Sequence, residues 1–536
     1  MSSLQGIHMS NRRYGAVLAA IFGPALATLA IACGTTWDDY YLPLTDPKLA
    51  TDAGTDGDGG DPDCEGDPTK DPALVRDGCG VFVSASAAPG GDGRKAKPFR
   101  TFAEAAAATP ARVFACAETY SETMQVSFSD GVEVYGGFGN CTSEKGWTWQ
   151  ASAFATLNGA SDVPALVLDG GANRIENLNI IAADAVMAGA SSIAVLVNGG
   201  ALDMLNGTLE AKAAKAGDPG THPADDIALD GEQGDPGVGI CDSGASNPGP
   251  KGKTKVCSTG DGSNAGNGGD GGDFTAGNPN PAGSGTDGTP TDISQPTKGK
   301  GGIGEGQGTP ATATCDDGTT GAPGASGNSG VGAMGAGALS ASGYAGNKGA
   351  DGTNGKPGQG GGGGGGAKGA KSITCNAVTQ DRVGASGGGG GTGGCGGALG
   401  GGGYPGGSSI ALVSLNATIS LGQTTLKSSL AGDGGKGGDG QSGGTKGFGG
   451  TPGSGGSAND SCRGGDGGKG GNGGPGGGGQ GGHSLGVAFK GKAPTGGVFQ
   501  IDPANFGKGG GGGNGNTTTD NGKGADGVTA NTRSFD

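Results

Sequence analysis

The residues best suited by type to catalysis are Asp169, Arg174, Glu176 and Asp203. Two carboxylates at a set separation would serve glycoside hydrolysis, one as acid and the other as base or nucleophile. Acids clustered around calcium, beside an arginine poised to take a proton, would serve an elimination on an acidic sugar chain. The spacing argues for neither, because the four residues are scattered and stand beside turn glycines such as Gly170 and Gly171. That is the pattern of solvent-facing strand and loop positions, so no catalytic residue is expected.

Other chemistries fare no better. His222 and His483 are the two histidines beyond His8, which argues against a Ser-His-Asp arrangement. No CxxC spacing occurs, so a Cys/His zinc site and metal binding in general are not expected. The calcium-binding nonapeptide needs an apolar residue two positions after each Asp, where this chain offers Gly or Lys. With 133 glycines in 536 residues a GxGxxG match carries no information, and no cofactor is expected. "GWTWQ" places Trp147 and Trp149 on one face of an extended segment. They are weak candidates for stacking on a glycan ring, although packing over the first strands accounts for them better.

Composition limits the architecture. Hydrophobic residues make up 32% and aromatics 4%, too little for one continuous globular core. The net charge of −16 lacks the cationic footprint that nucleic acid or an anionic membrane surface requires, and self-repulsion favours solubility. Arg12-Arg13 precede the apolar run Tyr14–Ala32, which ends at Cys33 with small residues before it, the layout of an export signal. Leu29-Ala30-Ile31-Ala32-Cys33 resembles a bacterial lipobox, in which the cysteine becomes a diacylated N-terminus. Ala30 stands where Leu is commoner, and Gly34 replaces the Asp associated with inner-membrane retention. The resemblance implies a lipoprotein of the outer membrane or cell surface of a Gram-negative-type bacterium, with the membrane as a partner through this anchor. Setting Cys33 aside leaves ten cysteines, an even set that suits disulfides in an exported chain. Neighbouring pairs (Cys64–Cys79, Cys116–Cys141, Cys241–Cys257) are the simplest choice, although sequence does not decide connectivity.

Residues 80–139 hold the densest conventional patterning. Val81–Val83 reads as a strand, 101–109 as a helix, and 113–116, 124–128 and 132–135 as strands. This order resembles the opening of right-handed parallel β-helix proteins of the pectin-lyase-like kind. The matching residues are Gly91, Asp92, Pro98, Phe99, Thr101, Phe102 and Ala105, followed by Thr119-Tyr120-Ser121-Glu122 and the run from Val132 to Phe138. The resemblance implies an all-β fold: a short, discontinuous β-helix whose open end is covered by a capping helix. Coils then recur at 164–183 and, about 28 residues later, at 191–211, with Leu166, Leu168, Ile175, Leu178 and Ile180 pointing inward. "SSIALVSLNATISLGQTTLKSS" and "HSLGVAFKGKAPTGGVFQIDPANF" repeat the pattern beyond long glycine-rich blocks.

Several blocks keep a strict three-residue period, including Gly464, Gly467, Gly470, Gly473, Gly476, Gly479 and Gly482. A collagen-like triple helix needs more proline and longer unbroken triplets. The remaining choices are a loose coil and a bundle of extended three-residue-per-turn helices, similar to the polyglycine II bundles inferred for PE-PGRS-type surface proteins. A strict triplet register serves a bundle and is of no use to a coil, so the bundle is preferred.

The expected organisation is a signal at 1–32, an acidic tether at 33–78 and cap plus first coils at 79–212. Glycine-rich insertions at 213–406 and 432–482 separate coils at 407–431 and 483–506, and a glycine-rich tail fills 507–536. The expected role is that of a non-enzymatic surface lipoprotein, structural or adhesive, in contact with extracellular polysaccharide or matrix and not with nucleic acid. A polysaccharide-active lyase or hydrolase is the alternative.

Overall fold

The computed structural model describes residues 62–141, 146–275, 277–514 and 522–536; the signal, Cys33 and most of the tether lie outside the described residues. The N-terminal part is built of short strands, most alternating buried with more exposed residues, while 112–116, 133–139 and 192–198 are buried almost throughout. The strands are β1 (Val81–Val83), β2 (Arg112–Cys116), β3 (Thr119–Ser121), β4 (Val126–Ser129), β5 (Glu133–Gly139) and β6 (Thr148–Trp149). β7 (Ala155–Asn158), β8 (Leu166–Asp169), β9 (Ala172–Glu176), β10 (Leu178–Ile181), β11 (Ser192–Asn198) and β12 (Ala201–Glu210) follow. β1, β2, β5, β9 and β12 pair in parallel in a larger sheet that continues through β10, β7 and β3, while β4, β8 and β11 start a smaller one. The inward side chains of both sheets share one core containing Leu166, Leu168, Ile175, Leu178 and Ile180, all buried as their pattern predicts.

One coil takes 29 residues. Asn177 and Asn206, that far apart, stack one over the other with Asn206 Nδ2 donating to Asn177 Oδ1 at 2.7 Å. Both adopt left-handed backbone, φ 54° and 57°, and so fold the larger sheet along a line, a conformation that Asn tolerates better than most residues. The sheet is therefore curled, and the coils form a parallel β-solenoid.

Helix α1 (Phe102–Ala107) closes the first coil, slightly shorter than the 101–109 expected. Thr101 and Glu104 form a reciprocal capping box, which satisfies N–H groups that a helix start leaves open. Phe102 packs edge-on against Tyr120 at 4.8 Å. The buried Glu122 carboxylate accepts the Phe102 N–H at 2.7 Å and the Ala103 N–H at 3.3 Å. Thr119-Tyr120-Ser121-Glu122 is thus part of the cap, with Tyr120 Oη donating at 2.9 Å to the Val83 or Cys116 carbonyl.

After β12 the chain leaves the solenoid and builds the bundle. Four antiparallel hairpins turn it: β13 (Thr254–Val256) with β14 (Gly262–Asn264), β15 (Phe274–Thr275) with β16 (Asn278–Pro279), β17 (Ala338–Ser340) with β18 (Gly343–Ala345), and β19 (Ala370–Cys375) with β20 (Val378–Arg382). It re-enters at β21 (Ser409–Leu415) and β22 (Thr418–Ser428), and again at β23 (Ser484–Lys490) and β24 (Thr495–Ile501). Ser192 of β11 faces Ser409, and Ser409 faces Ser484, so the coils stack as if nothing had been inserted. The segment expected to be a simple tail behaves differently: β25 (Thr529–Ser534) adds a further parallel strand beside β23. Sequence offers little warning, because Thr532 and Ser534 sit opposite Val487 and Phe489 and remove the apolar signature. Hairpin β17–β18 lies over the outer face of the smaller sheet, where Leu339 and Tyr344 join Ile193, Leu196, Ile410, Val413 and Leu485.

The glycine blocks are extended segments linked by backbone hydrogen bonds at every third residue. In 461–482, Gly464, Gly467, Gly470 and Gly473 donate to Gly450, Gly447, Gly444 and Gln441 of segment 431–455. Gly465, Gly468, Gly471 and Gly474 donate to Gly362, Gln359, Lys356 and Thr353 of segment 347–369. The third register (Arg463, Asp466, Lys469, Asn472) points side chains outward, while its carbonyls accept from Gly318, Gly321, Gly324 and Gly327. The period is that of a three-residue-per-turn helix, and both N–H and C=O are used against different neighbours. Segments 347–369 and 384–407 run antiparallel, Gly349 bonding Gly403 and Gly364 bonding Gly388. A collagen triple helix, whose three chains run in one direction, does not contain that arrangement.

Glycine density follows the number of flanking segments. Segment 316–334 has one glycine per triplet and, between Gly321 and Gly330, lies against only 347–369 and 461–482. Segment 461–482 has two glycines per triplet and, between Gly464 and Gly474, is flanked by four: 316–334, 347–369, 384–407 and 431–455. The all-glycine run 360–366 is flanked by six: 264–272, 280–289, 299–305, 316–334, 384–407 and 461–482. Each added neighbour closes another face, and a side chain there has no room. A Cβ at Gly468 would fall on the Ala322 carbonyl oxygen, and one at Gly363 on the Asn267 carbonyl oxygen.

Among the described residues five disulfides tie the chain together. Cys64–Cys79 and Cys116–Cys141 join close neighbours, whereas the expected Cys241–Cys257 bridge is replaced by Cys241–Cys375 and Cys257–Cys395. Ile240 shares an apolar cluster with Ile373 and Cys375, and Ala228 shares one with Cys257 and Cys395, so packing across the bundle selects the partners. Cys315–Cys462 spans 147 residues. Closing a loop of that order removes unfolded-state entropy worth about 5 kcal/mol in the chain-entropy account.

Replacing Gly468 by Ala should lower stability by about 1–3 kcal/mol through backbone collision. Lys469→Ala, on the outward register, should change it by less than about 0.5 kcal/mol. Thermal unfolding of the two variants checks both; equal effects would contradict the packing.

Candidate functional surfaces

Two surfaces concentrate charged side chains. The first is a ladder on the outer face of the larger sheet, where register places Arg112 beside Glu133, Glu133 beside Arg174, and Arg174 beside Asp203. Alternating residues on parallel strands must share a face, so four separate sequence positions form one row of alternating sign. Arg112 is 1% exposed, with Nε donating to Glu133 Oε2 at 2.7 Å and Nη1 and Nη2 donating to the Cys64 and Gly66 carbonyls at 3.1 Å each. The strap stapled by Cys64–Cys79 therefore lies over this end. Tyr135 Oη completes it with a 3.3 Å bond to Glu133.

Arg174 stands where the row emerges toward solvent. Its Nη2 lies 2.9 Å from Glu176 and 4.0 Å from Asp67, and its Nη1 lies 3.5 Å from Asp203. The structure thus gathers Arg174, Glu176 and Asp203, which the spacing had suggested were scattered, and adds Asp67 from the strap. Asp169 stays apart on the smaller sheet, accepting from Asn198 Nδ2 at 2.7 Å. Burial opposes ionisation of Asp67, but hydrogen bonds from Thr69 and Lys70 outweigh it and hold the carboxyl below its ordinary value. Trp147 is 3% exposed and packs edge-on against Phe82 at 4.8 Å, so its ring presents no face to a sugar. Trp149 is half-buried against Phe138.

The second surface is the bundle rim. Lys348-Gly-Ala-Asp351, Lys436-Gly-Gly-Asp439, Arg463-Gly-Gly-Asp466 and Lys523-Gly-Ala-Asp526 share one design. One turn of a three-residue helix brings each cation beside its carboxylate, at 3.1, 3.1, 2.6 and 2.8 Å respectively. Each carboxylate also accepts a backbone N–H from another segment: Gly402 to Asp351 at 2.7 Å, Gly449 to Asp466 at 2.9 Å, Gly509 to Asp526 at 2.7 Å, and Asn514 to Asp439. These aspartates take the place of a further backbone neighbour. The signal was present in the sequence as opposite charges three apart around glycine, though no helical or strand periodicity points to it. The Gly402 N–H, with Lys348, holds Asp351 below the ordinary carboxylate range. For Asp466 burial acts against ionisation, yet Gly449, Lys446 and Arg463 outweigh it.

At the seam between bundle and solenoid, His483 is buried. Its Nδ1 accepts the Val528 N–H at 3.0 Å, which leaves Nε2 to donate to the Ala336 carbonyl at 2.9 Å. Burial pushes its pKa down to about 4.

Among the described residues, no group of His, Cys, Asp and Glu is arranged to hold a metal, and no helix is long and apolar enough to cross a membrane. No protein family, curated protein or solved structure matches this chain.

Acid should destabilise the protein in two windows. His483 titrates near 6.5 when unfolded and near 4 when folded, so its contribution is complete above pH 6.5 and is lost as pH falls toward 4. The loss is about 3 kcal/mol at most. The rim aspartates, depressed from 3.8, keep their contribution down to about pH 4 and lose it below. Denaturant unfolding across pH should show both windows, and His483→Gln should abolish the upper one alone.

Proposed function

We propose that the protein is a non-enzymatic surface scaffold: a lipoprotein anchored through Cys33 at the outer membrane or cell surface, presenting its bundle to matrix, glycan or neighbouring cells. The construction of the bundle supports this most directly. Interior backbone groups satisfy one another, so a long hydrophilic body holds its shape without an apolar core, and its charges face outward at a fixed spacing. That body grows from one edge of a solenoid, of which a right-handed pectin-lyase-like β-helix is the finer reading. A PE-PGRS-like surface polypeptide is the finer reading of the bundle. Disulfides joining its segments suit an oxidising exterior.

Cell fractionation tests the anchor. The protein should partition with membranes and be cut by protease added to intact cells, whereas Cys33→Ser should release it to the soluble fraction. A Cys33→Ser chain that stays membrane-bound would overturn the anchor.

One observation favours the alternative, a polysaccharide-active enzyme: Glu176, Asp203 and Asp67 converge on Arg174, whose buried Nε has no hydrogen-bond partner. With acidic polysaccharides and calcium, the scaffold reading expects no unsaturated product and no new reducing ends. Turnover that Arg174→Ala abolishes, in a variant that still folds, would establish the enzyme instead.

A further inference from the structure

We propose that the bundle edge formed by residues 318–334 is the surface through which two copies of this chain associate. The edge is unlike the rest of the rim. From Gly318 to Asn347 there is no charged residue, in a chain whose other exposed bundle segments carry Lys, Arg, Asp or Glu at intervals. Two of its three registers face out: Pro323, Ala325, Ser326, Asn328 and Ser329 are exposed, and Val331 and Met334 are 59% and 79% exposed. Beside it Ile293, 93% exposed, lines a groove together with Pro290, Pro323 and Pro357. Two charged residues also border the groove: Lys356 pairs with Asp261 at 2.9 Å, and the Asp292 carboxylate is turned to Ser294 and Gln295 of its own loop.

The backbone is incomplete at the same place. Among the described residues, the N–H groups of Ala325, Ser326 and Ser329 have no hydrogen-bond partner, as is also true of Asp466, Lys469 and Asn472 on the charged rim; what sets this edge apart is that Gly321–Gly330 is bonded to two segments only, 347–369 and 461–482. The edge is the bundle's counterpart of an unpaired edge strand, a row of backbone groups open to another chain.

A second copy fits this vacancy for two reasons. At −16 net charge, two copies repel over most of their surface and approach most cheaply where neither carries charge. A two-fold axis through the edge would set segment 318–334 antiparallel to its own copy, the arrangement that 347–369 and 384–407 already make within the chain. The side chains of Ala325, Ser326 and Ser329 keep the copies farther apart than glycine faces would, so the association is reversible.

Sedimentation velocity of the purified chain from about 1 µM to about 500 µM should follow a monomer–dimer equilibrium. Ser326→Asp with Ser329→Asp should weaken it more than about tenfold while leaving the melting temperature unchanged, because the new charges face each other across the axis. Asn472→Asp, on the charged rim, should leave it unaltered. Under mild oxidation S329C should yield a covalent dimer and N472C should not. A chain that stays monomeric across the range would overturn the proposal. So would a dimer that survives both aspartates and fails to cross-link through S329C, whether its contact lies at the solenoid end or elsewhere. Membrane partition of the Cys33→Ser chain reads the anchor separately.

Discussion

Two polypeptide backbones can approach to hydrogen-bonding distance on several sides at once only if no Cβ stands between them. The bundle rests on that constraint. An isolated extended glycine segment loses more entropy on ordering than a few hydrogen bonds return. In segment 461–482 each interior residue is held by neighbours on several sides, and no single pair of strands would suffice. At four places on the rim Asp351, Asp439, Asp466 and Asp526 bond an N–H that no further segment reaches, and a lysine or arginine one turn away matches the charge.

The solenoid supplies what the bundle cannot supply for itself, a fixed starting register. Gly403 bonds Gly477 and Gly406 bonds Gln480, and the same series continues with Ser409 to His483 directly into the pairing of β21 with β23. A hydrogen-bond ladder thus passes from glycine helix to β-strand without a break. The debt runs the other way as well, since hairpin β17–β18 covers the outer face of the smaller sheet. A sheet buried on both faces reads as a continuous apolar run, which is the pattern of "SIALVSL" in β21.

Much of this was legible. The cap was readable because Thr101 and Glu104 satisfy a local rule, and the coils because inward residues alternate over a few positions. Excursions were readable because the apolar pattern resumed at Ser409 and Ser484 with its phase intact. The charged surfaces were not. Arg174, Glu176 and Asp203 looked scattered because 29 residues of chain separate positions that the register sets side by side, and Asp67 arrives from a disulfide-held strap. The aspartates of the K/R-G-[G/A]-D turns were visible as residues, but the N–H each one receives lies 17 to 75 residues away.

By itself the sequence determined which kinds of element form: triplet glycine can build only close-packed three-residue helices or none, and short alternating apolar runs can build only strands. Which segments lie side by side was decided by the tertiary structure. That choice joined Cys241 to Cys375 in place of Cys257, turned Thr529–Ser534 into a strand, and left residues 318–334 at an open edge. The physical reason is that glycine carries no side chain to encode a partner. Its backbone groups accept any neighbour equally, and identity comes from the solenoid register, the disulfides and the few rim side chains that tell one face from another.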